Sequence, residues 1–350
     1  MPVLLNPACL AIFANEAFGM PCSAITSIAA STTCARRAFS VKVRSCLVEL
    51  LLACMSKTIV LLAQPSKRNH AVIAICGSPK LAPVSLPSPT ADNRAVVTGA
   101  SSGIGTALAA ELAARGYSLI LIARRGELLT ELAQRLTLAH GVTAEVRAVD
   151  LSDRDQRGGL AEELAARDIA ILCNNAGVAT FGPIAGLDLA HERAVMELNA
   201  VAVHDLTLAV LPGMIARGGG GILITGSAAG NMPIPNNATY AASKAFTNSF
   251  AESLRGELKG SGINVTLLAP GPVRTDAPEQ TEAFVASNKI PEFIWVSAET
   301  TARMSIDALA RNKMRVVPGL ISKGMSVAGQ YGPRALTAPI AGAFYKKLGG

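Results

Sequence analysis

Short apolar runs alternate with amphipathic stretches along residues 91–320. The runs are RAVVT (94–98), SLILIA (118–123), EVRAV (145–149), DIAILC (168–173), GILIT (221–225), INVTLLA (263–269) and MRVVP (314–318). Helical periodicity appears between them, as in ALAAELAARG (107–116) and ELLTELAQRLTLA (127–139). Apolar strands that alternate with helices are typical of a parallel sheet covered on both faces. The pattern therefore predicts an α/β fold, a doubly wound parallel sheet of about seven strands in a single domain.

Residues 1–90 show neither helical nor strand periodicity. Their most apolar stretch, from Leu47 to Ala63, is interrupted by Glu49 and Lys57 and falls short of a membrane span. Residues 78–93 are rich in Pro and Ser and predict a linker. We therefore expect a disordered N-terminal extension and linker, a folded domain and a C-terminal tail, over residues 1–90, 91–320 and 321–350. Scarce acidic residues with some Arg and Ser leave a transit peptide as the alternative for the extension.

Charge and cysteine usage narrow the classes of function. The net charge of +7 is concentrated in residues 1–90, which hold eight Lys and Arg against two Glu and leave +1 for residues 91–350. A nearly neutral folded domain gives no basis for a nucleic-acid partner. Six of the seven cysteines also lie in residues 1–90, without the CxxC spacing or His cluster that is typical of zinc sites. The sequence therefore predicts no bound metal and no disulfide framework.

A glycine-rich turn, TGASSGIG (98–105), follows the first predicted strand and leads into a helix that begins near Ile104. Gly99 permits the tight turn, Gly103 allows close approach to the backbone, and Gly105 lets the helix pack near the sheet. The N–H groups at such a helix N-terminus bind a pyrophosphate. The turn therefore predicts a dinucleotide site of the Rossmann type. The predicted cofactor contacts of this turn are Gly99, Ser101, Ser102, Gly103, Ile104 and Gly105.

The residues after the second and third strands indicate which dinucleotide binds. The second strand ends IARRG, so Arg124 and Arg125 stand where an acidic residue would bind the ribose hydroxyls of NAD. Two guanidinium groups suit a 2′-phosphate, and the sequence favours NADPH over NADH. A solvated surface position is the alternative for either arginine. Asp150 is predicted to contact the adenine edge, with a helix cap as its alternative.

The motif NNAG follows the fourth strand, at the edge of the sheet where open parallel sheets form their ligand crevice. It comprises Asn174, Asn175, Ala176 and Gly177. The paired asparagines are predicted either to shape the nicotinamide site or to link neighbouring loops.

Four polar side chains predict the chemistry of carbonyl reduction. Tyr240 can protonate a developing alkoxide, provided that its pKa falls below the usual value of about 10. Lys244, one helical turn later, can stabilise the phenolate and hold the cofactor ribose. Ser227 can donate to the substrate oxygen, and Asn199 can hold a water that links Lys244 to bulk solvent. Each residue has an ordinary alternative: a chance Tyr-x-x-x-Lys pair, a helix cap, or a hydrogen bond within the helix.

Together these motifs resemble the short-chain dehydrogenase/reductase family over roughly residues 90–320. The matching elements are the glycine turn, NNAG, Asn199, Ser227 and the run YAASK (240–244). The resemblance implies a Rossmann-type sheet, the catalytic roles given above, and a homodimer or homotetramer built on the helix of Tyr240. PGPVRT (270–275) resembles the family's nicotinamide-side loop. That likeness implies cofactor contacts from Pro270, Val273 and Thr275.

Longer stretches resemble one branch of that family, whose members reduce 3-oxo acyl lipids. They are LNAVAVHDLTLAVLPGMI (198–215), GSAAGNMPIPNNATYAASKAF (226–246) and the tail from Asn312. The likeness implies NADPH-dependent reduction of a lipophilic 3-oxo acyl substrate to the 3-hydroxy product. The segment EAFVASNKIPEFIWVS (282–297) stands where a mobile lid would lie.

Other functions and a membrane contact stay open at this point. The rivals are a reductase of another hydrophobic ketone or alcohol, such as a steroid or a shorter oxoacyl thioester, and a non-catalytic NADP-sensing module. The tail APIAGAFYKKL (338–348) is amphipathic and suits either a membrane surface or an oligomer interface. We expect a cytoplasmic protein, for which contact of this tail with the inner face of the membrane is one of the two alternatives.

Overall fold

The computed structural model comprises two units, residues 1–80 and 81–350. In the first unit it describes three short strands, Phe39–Ser40, Ile59–Leu62 and Val72–Ile75. They form an antiparallel sheet with the third strand in the centre. In the second unit it describes residues 85–274, 295–335, 337–339 and 342. The predicted extension otherwise lies outside the described residues up to residue 84, as do Thr275, the predicted lid up to residue 294 and, in the predicted C-terminal tail, residues 336, 340, 341 and 343–350.

Seven parallel strands form the larger of the two sheets described in the second unit, which confirms the predicted fold class. They are β1 (Arg94–Thr98), β2 (Ser118–Ala123), β3 (Ala144–Ala148), β4 (Ile169–Asn174), β5 (Gly220–Thr225), β6 (Ile263–Leu268) and β7 (Arg315–Val316). Their order is β3-β2-β1-β4-β5-β6-β7. The last strand is shorter than the predicted run because only two residues pair with β6, and Pro318 has no N–H to continue a ladder.

Helices cover both faces of this sheet. They are α1 (Gly103–Ala114), α2 (Gly126–His140), α3 (Arg154–Ala165), α4 (Leu189–Met196), α5 (Ala202–Arg217), α6 (Ala238–Glu257), α7 (Ala298–Ala310) and α8 (Leu320–Tyr331). Side chains of α1, α2 and α7 form one apolar core with the sheet, and side chains of α3, α5 and α6 form the other. Each large apolar side chain buried there stabilises the fold by roughly 1.5–3 kcal/mol.

Local sequence signals set where these helices begin and end. α3 begins after Asp153, whose carboxylate accepts hydrogen bonds from the N–H groups of Asp155 and Gln156. α2 ends at Gly141, whose φ of 69° lies in the left-handed region that glycine adopts without strain. Between α4 and α5 the chain makes a π-helical turn, Glu197–Val201. Such turns are often found at functional sites.

The helical run Leu189–Arg217 is, within the described residues, the one segment long and apolar enough to cross a membrane. In the structure 44% of its most apolar window is buried inside the fold. Val203, Leu206 and Val210 pack in the core beneath the sheet. Part of the apolarity of this run therefore reflects packing in the core, and the predicted location of the protein stays a prediction.

Exposed apolar side chains mark the outer face of α5 and α6. Phe246 and Phe250 stack with their ring centroids 5.7 Å apart, and Phe246 is exposed. Leu208 and Ile215 on α5 are also exposed. This is the surface on which the resemblance implies an oligomer contact, and that contact stays a prediction.

An ion-pair cluster is centred on β3, the strand at one end of the sheet. Glu145 pairs with Arg94, Arg147 and Arg167 at 3.0, 3.1 and 2.6 Å. The hydrogen bond from Arg167 is the main cause that lowers the pKa of Glu145 to about 2, against an opposing effect of burial. Charged side chains on an edge strand disfavour pairing with a strand of another chain.

Candidate active site

A cavity of about 790 Å³ opens at the carboxyl ends of the strands. The strand order reverses between β1 and β4 at this point, which is where open α/β sheets bind ligands. The turns after β1, β2, β3, β4 and β6 all contribute to its wall, together with Tyr240 and Lys244 of α6.

The glycine turn lies where the sequence predicts. Gly99 and Gly103 have φ values of 67° and 56°, which favour glycine. A Cβ at Gly99 would come within 2.9 Å of the Ala176 Cα, and one at Gly105 would overlap the Gly99 carbonyl oxygen. Gly105 therefore lies behind the wall and lets α1 pack against the turn, while Gly99 and Gly103 line the cavity.

The N-terminus of α1 fits an anionic group. Ser101, Ser102 and Ile104 line the cavity beside the first turn of the helix. Ser102 is the N-cap residue, and its side chain makes no capping hydrogen bond to α1. The N–H groups of the first turn are oriented towards the helix N-terminus, where a phosphate is stabilised by them and by the helix dipole.

Arg124 and Arg125 are exposed at the rim of the cavity. Arg125 Nη2 donates to Ser101 Oγ over 3.0 Å, so the end of β2 is tied to the glycine turn. Two guanidinium groups at this rim fit a phosphate on the adenosine ribose, because they offer paired charged donors.

Asp150 lines the cavity after β3, and its carboxylate is held locally. Its Oδ1 accepts hydrogen bonds from the Ser152 N–H at 2.9 Å and from the Ser152 hydroxyl at 2.6 Å. Burial acts to raise the pKa of Asp150, but these bonds and the positive charge of Arg124 together hold it below its usual value. The helix cap considered as its alternative role belongs instead to Asp153.

The loop after β4 connects three neighbouring elements. Asn174 is buried and donates to Thr207 Oγ1 of α5 over 2.9 Å. Asn175 Nδ2 donates to the Thr98 carbonyl over 3.1 Å, and the N–H groups of Asn175 and Ala176 each lie 2.9 Å from Thr98 Oγ1. Both asparagines thus link neighbouring elements, Asn174 to α5 and Asn175 to the end of β1, rather than two loops. Asn175, Ala176 and Gly177 also line the cavity, whereas Asn174 does not.

Tyr240 and Lys244 project into the cavity from the first turns of α6. Lys244 Nζ donates to the Thr225 carbonyl over 2.8 Å and lies 5.9 Å from the centre of the Tyr240 ring. Burial lowers the pKa of Lys244 to about 8. Burial raises the pKa of Tyr240, and the hydrogen bond with Ser227 only partly offsets this. The acidification expected for Tyr240 is therefore not found, because the effect of burial outweighs that of the hydrogen bond with Ser227.

Ser227 follows β5 and both begins a 3₁₀ turn and reaches Tyr240. Its Oγ accepts a hydrogen bond from the Ala229 N–H over 3.1 Å, and its side chain is hydrogen-bonded to Tyr240. The Ser227 hydroxyl therefore both caps the turn and contacts Tyr240, because a hydroxyl can accept one hydrogen bond while it donates another.

Asn199 lies fully buried in the π-helical turn. Its Oδ1 accepts from the Val178 N–H at 3.0 Å, and its Nδ2 donates to the Val178 carbonyl at 2.9 Å and to Ser243 Oγ at 3.0 Å. The amide thus bonds across to the β4 loop and to α6, not within its own helix. A Cβ at Gly177 would come within 3.1 Å of Asn199 Oδ1 and 3.2 Å of Lys244 Nζ. A water held between Asn199 and Lys244 stays a prediction.

Pro270 and Val273 line the cavity after β6, and their contacts with the cofactor stay predictions. Three buried polar residues that the sequence reasoning missed support the site. Thr98 binds the β4 loop, Ser243 bonds Asn199 and the Tyr240 carbonyl, and Asn248 bonds Ser227. Each could have been recognised from the sequence, because it is a polar position within an apolar run or on the buried face of α6. Among the described residues, no group of three His, Cys, Asp or Glu side chains could hold a metal.

Known proteins share this arrangement to different extents. The family model for short chain dehydrogenases matches residues 93–285. Sulfoacetaldehyde reductase 2 of Chromohalobacter salexigens is 34% identical over 241 residues, which cover 64% of this chain and 93% of that protein. The very-long-chain 3-oxoacyl-CoA reductase of Mycosarcoma maydis is 36% identical over 179 residues, 50% of this chain and 51% of that protein. The chain thus spans about half the length of that relative.

A solved structure provides a comparison of the fold. A short-chain dehydrogenase from Sphingobium yanoikuyae in complex with NADPH superposes with a TM-score of 0.61 at 30% identity. The match covers 68% of this chain and 92% of that chain.

Proposed function

Because the chain belongs to the short-chain dehydrogenase family, we propose that it is an NADPH-dependent reductase of a 3-oxo acyl lipid with Tyr240 as general acid. The observation that supports this most directly is the convergence of the glycine turn, the rim arginines, Tyr240 and Lys244 on one cavity. NADPH, when bound, supplies the hydride that reduces the ketone carbon. The residues of the chain bind and orient it and deliver the proton.

Tyr240 supplies the proton in the proposed reduction. Its raised pKa keeps the phenol protonated at neutral pH, which is the form that an acid requires. An alkoxide that develops on the substrate is a much stronger base than a phenolate, so proton transfer from Tyr240 is favourable. Ser227 donates to the same oxygen, and the charge of Lys244 stabilises the phenolate that remains.

An apolar wall supports a lipophilic substrate. Its side chains beside the β4 loop and at residue 295 are Val178, Ala179, Phe181, Leu198 and Trp295. Burial of an alkyl chain against such a wall contributes roughly 0.8 kcal/mol for each methylene group. A relative whose name states very-long-chain 3-oxoacyl-CoA reduction is consistent with this preference.

The stretches 198–215 and 226–246 and the tail further resemble the mycolate reductase of mycolic-acid-making actinobacteria. We infer on that basis that the physiological substrate is the 3-oxo intermediate of mycolic acid synthesis, and that the reaction is its last reduction. The apolar wall favours this substrate and a different hydrophobic ketone alike, so the assay must separate them.

A substrate panel tests this function. We expect NADPH consumption with 3-oxo esters, at a kcat/KM at least about tenfold higher for long, α-branched esters than for short, unbranched ones, because the former bury more methylene groups. Mass spectrometry should identify the 3-hydroxy product. Faster turnover of a steroid ketone or of sulfoacetaldehyde would instead assign the protein to another branch of the family, and NADPH binding without turnover of any ketone would indicate a sensing module.

The rate of reduction should fall as the pH rises through about 8. Burial lowers the pKa of Lys244 to about 8, so its ammonium charge is lost in that range, whereas the raised pKa of Tyr240 keeps the phenol protonated. The measurement is kcat/KM from about pH 6 to about pH 10. Lys244→Arg should show a lower rate that lacks this decline, because a guanidinium stays charged. A wild-type profile that is flat to about pH 10 would contradict the role of the ammonium.

A further inference from the structure

The Asn248 side chain forms hydrogen bonds with both the backbone N–H and the carbonyl of Ser227. It lies one turn after Lys244 on α6 and is 5% exposed. Its Oδ1 accepts from the Ser227 N–H over 3.3 Å, and its Nδ2 donates to the Ser227 carbonyl over 2.9 Å. The second hydrogen of Nδ2 goes to Asn231 Oδ1 over 3.0 Å. A buried amide with all three bonds made is costly to disturb, because each lost bond leaves a desolvated polar atom.

Two glycines allow this close approach. A Cβ at Gly226 would overlap Asn248 Oδ1, and a Cβ at Gly230 would come within 2.5 Å of the Lys244 carbonyl and 2.7 Å of Asn248 Nδ2. The turn that carries Ser227 is therefore pressed against α6 at Lys244 and Asn248, the same helix that presents Tyr240.

Hydrogen bonds also connect the Ser227 turn to the C-terminal helix, α8. Asn231 Nδ2 donates to Ser326 Oγ over 3.1 Å, and Ser326 is buried on α8. Gly329 of the same helix faces the Met232 side chain, where a Cβ would overlap the methionine methyl group. α8 thus contacts the Ser227 turn by one hydrogen bond and by close packing.

We propose that Asn248 is a positioning residue for Ser227, and that Asn231 and Ser326 extend this constraint to α8. Because Asn248 fixes the Ser227 backbone, it directs the Ser227 hydroxyl towards the oxygen that Tyr240 protonates. The inference rests on the proposed function, in which Ser227 donates to the substrate.

Asn248→Asp tests the proposal with little change in side-chain size. The variant keeps the acceptor for the Ser227 N–H but loses both donated bonds, and its charge repels the Ser227 carbonyl and Asn231 Oδ1. We expect kcat to fall about tenfold, since small misplacements of reacting groups are costly, and the Kd for NADPH to change less than about twofold. Ser326→Ala removes only the distal bond and should lower kcat about two- to fivefold. This second variant answers the question if the first does not fold.

A double-mutant cycle separates positioning from general stability. In a Ser227→Ala background, Asn248→Asp and Ser326→Ala should each reduce kcat less than about twofold further, because the hydroxyl that they position is absent. Asn264→Asp is the matched control: Asn264 is buried in β6, and its Nδ2 donates to the Leu309 carbonyl. That variant should lower Tm while leaving kcat unchanged.

The outcomes distinguish this inference from the function on which it rests. Additive losses in the Ser227→Ala background, or an equal loss of kcat in Asn264→Asp, would overturn the positioning role alone. Full turnover by Ser227→Ala itself would remove Ser227 from the proposed mechanism, and the inference with it.

Discussion

Tyr240→Phe should abolish ketone reduction and leave NADPH binding nearly unchanged. The substitution removes only the hydroxyl, which is hydrogen-bonded to Ser227 and is the proposed proton donor. General acid catalysis contributes about 10²–10⁴-fold to a rate, and we expect a loss of kcat in the upper part of that range. The ring that lies 5.9 Å from Lys244 Nζ is retained, so the cavity keeps its shape and its cation–π contact.

Two measurements are needed for the Tyr240 variant. Single-turnover NADPH oxidation gives the chemical step, and fluorescence titration gives the Kd for NADPH. Tyr331→Phe is the matched control, because Tyr331 lies on α8 with 76% of its surface exposed. Turnover by Tyr240→Phe at the wild-type rate would show that another group supplies the proton.

Replacing Arg124 and Arg125 together by Ala should weaken NADPH binding about 100-fold and NADH binding far less. A charge-assisted hydrogen bond contributes about 1.5–3 kcal/mol, and the exposure of both side chains places the expected effect at the lower end for each. NADH lacks the 2′-phosphate, so it loses none of this interaction. A small loss common to both cofactors is expected, since Arg125 also supports Ser101 in the glycine turn.

The comparison of the two cofactors is the critical control in this experiment. Kd values for NADPH and NADH should be measured at one ionic strength, because exposed charges are screened by salt. Arg135→Ala removes an exposed arginine from α2 without touching the cavity and should change neither value. Equal losses for the two cofactors in the double variant would show that the arginines do not recognise the phosphate.

The sheet and the position of the cavity could be predicted because they depend on local pattern. Each apolar run is long enough to form a strand. Because helices connect the strands, neighbouring strands can pair in parallel. The glycine turn and the Tyr240–Lys244 pair could be placed for the same reason, since their spacing is set within one turn or one helix. Only β7 was clearly shorter than its run, where Pro318 follows.

The polar interior could not be predicted in this way. Asn199 bonds to Val178 and Ser243, and Asn248 bonds to Ser227, over separations of about twenty or more residues. These hydrogen-bond partners depend on how the helices pack on the sheet. The spacing of apolar residues within one helix or strand does not specify that packing. The direction of the Tyr240 pKa has the same origin, because it depends on burial and on the hydrogen bond with Ser227.

The reversal of strand order between β1 and β4 separates two tasks along the chain. Residues up to Leu151 form the wall beside the glycine turn and the rim arginines, and residues from Asn175 onwards supply the reacting groups and the apolar wall. Substitutions in the apolar wall can therefore change the preferred substrate while the glycine turn and the rim arginines stay unchanged. Because the two parts of the wall can change separately, one family can include members named for sulfoacetaldehyde and for very-long-chain oxoacyl thioesters.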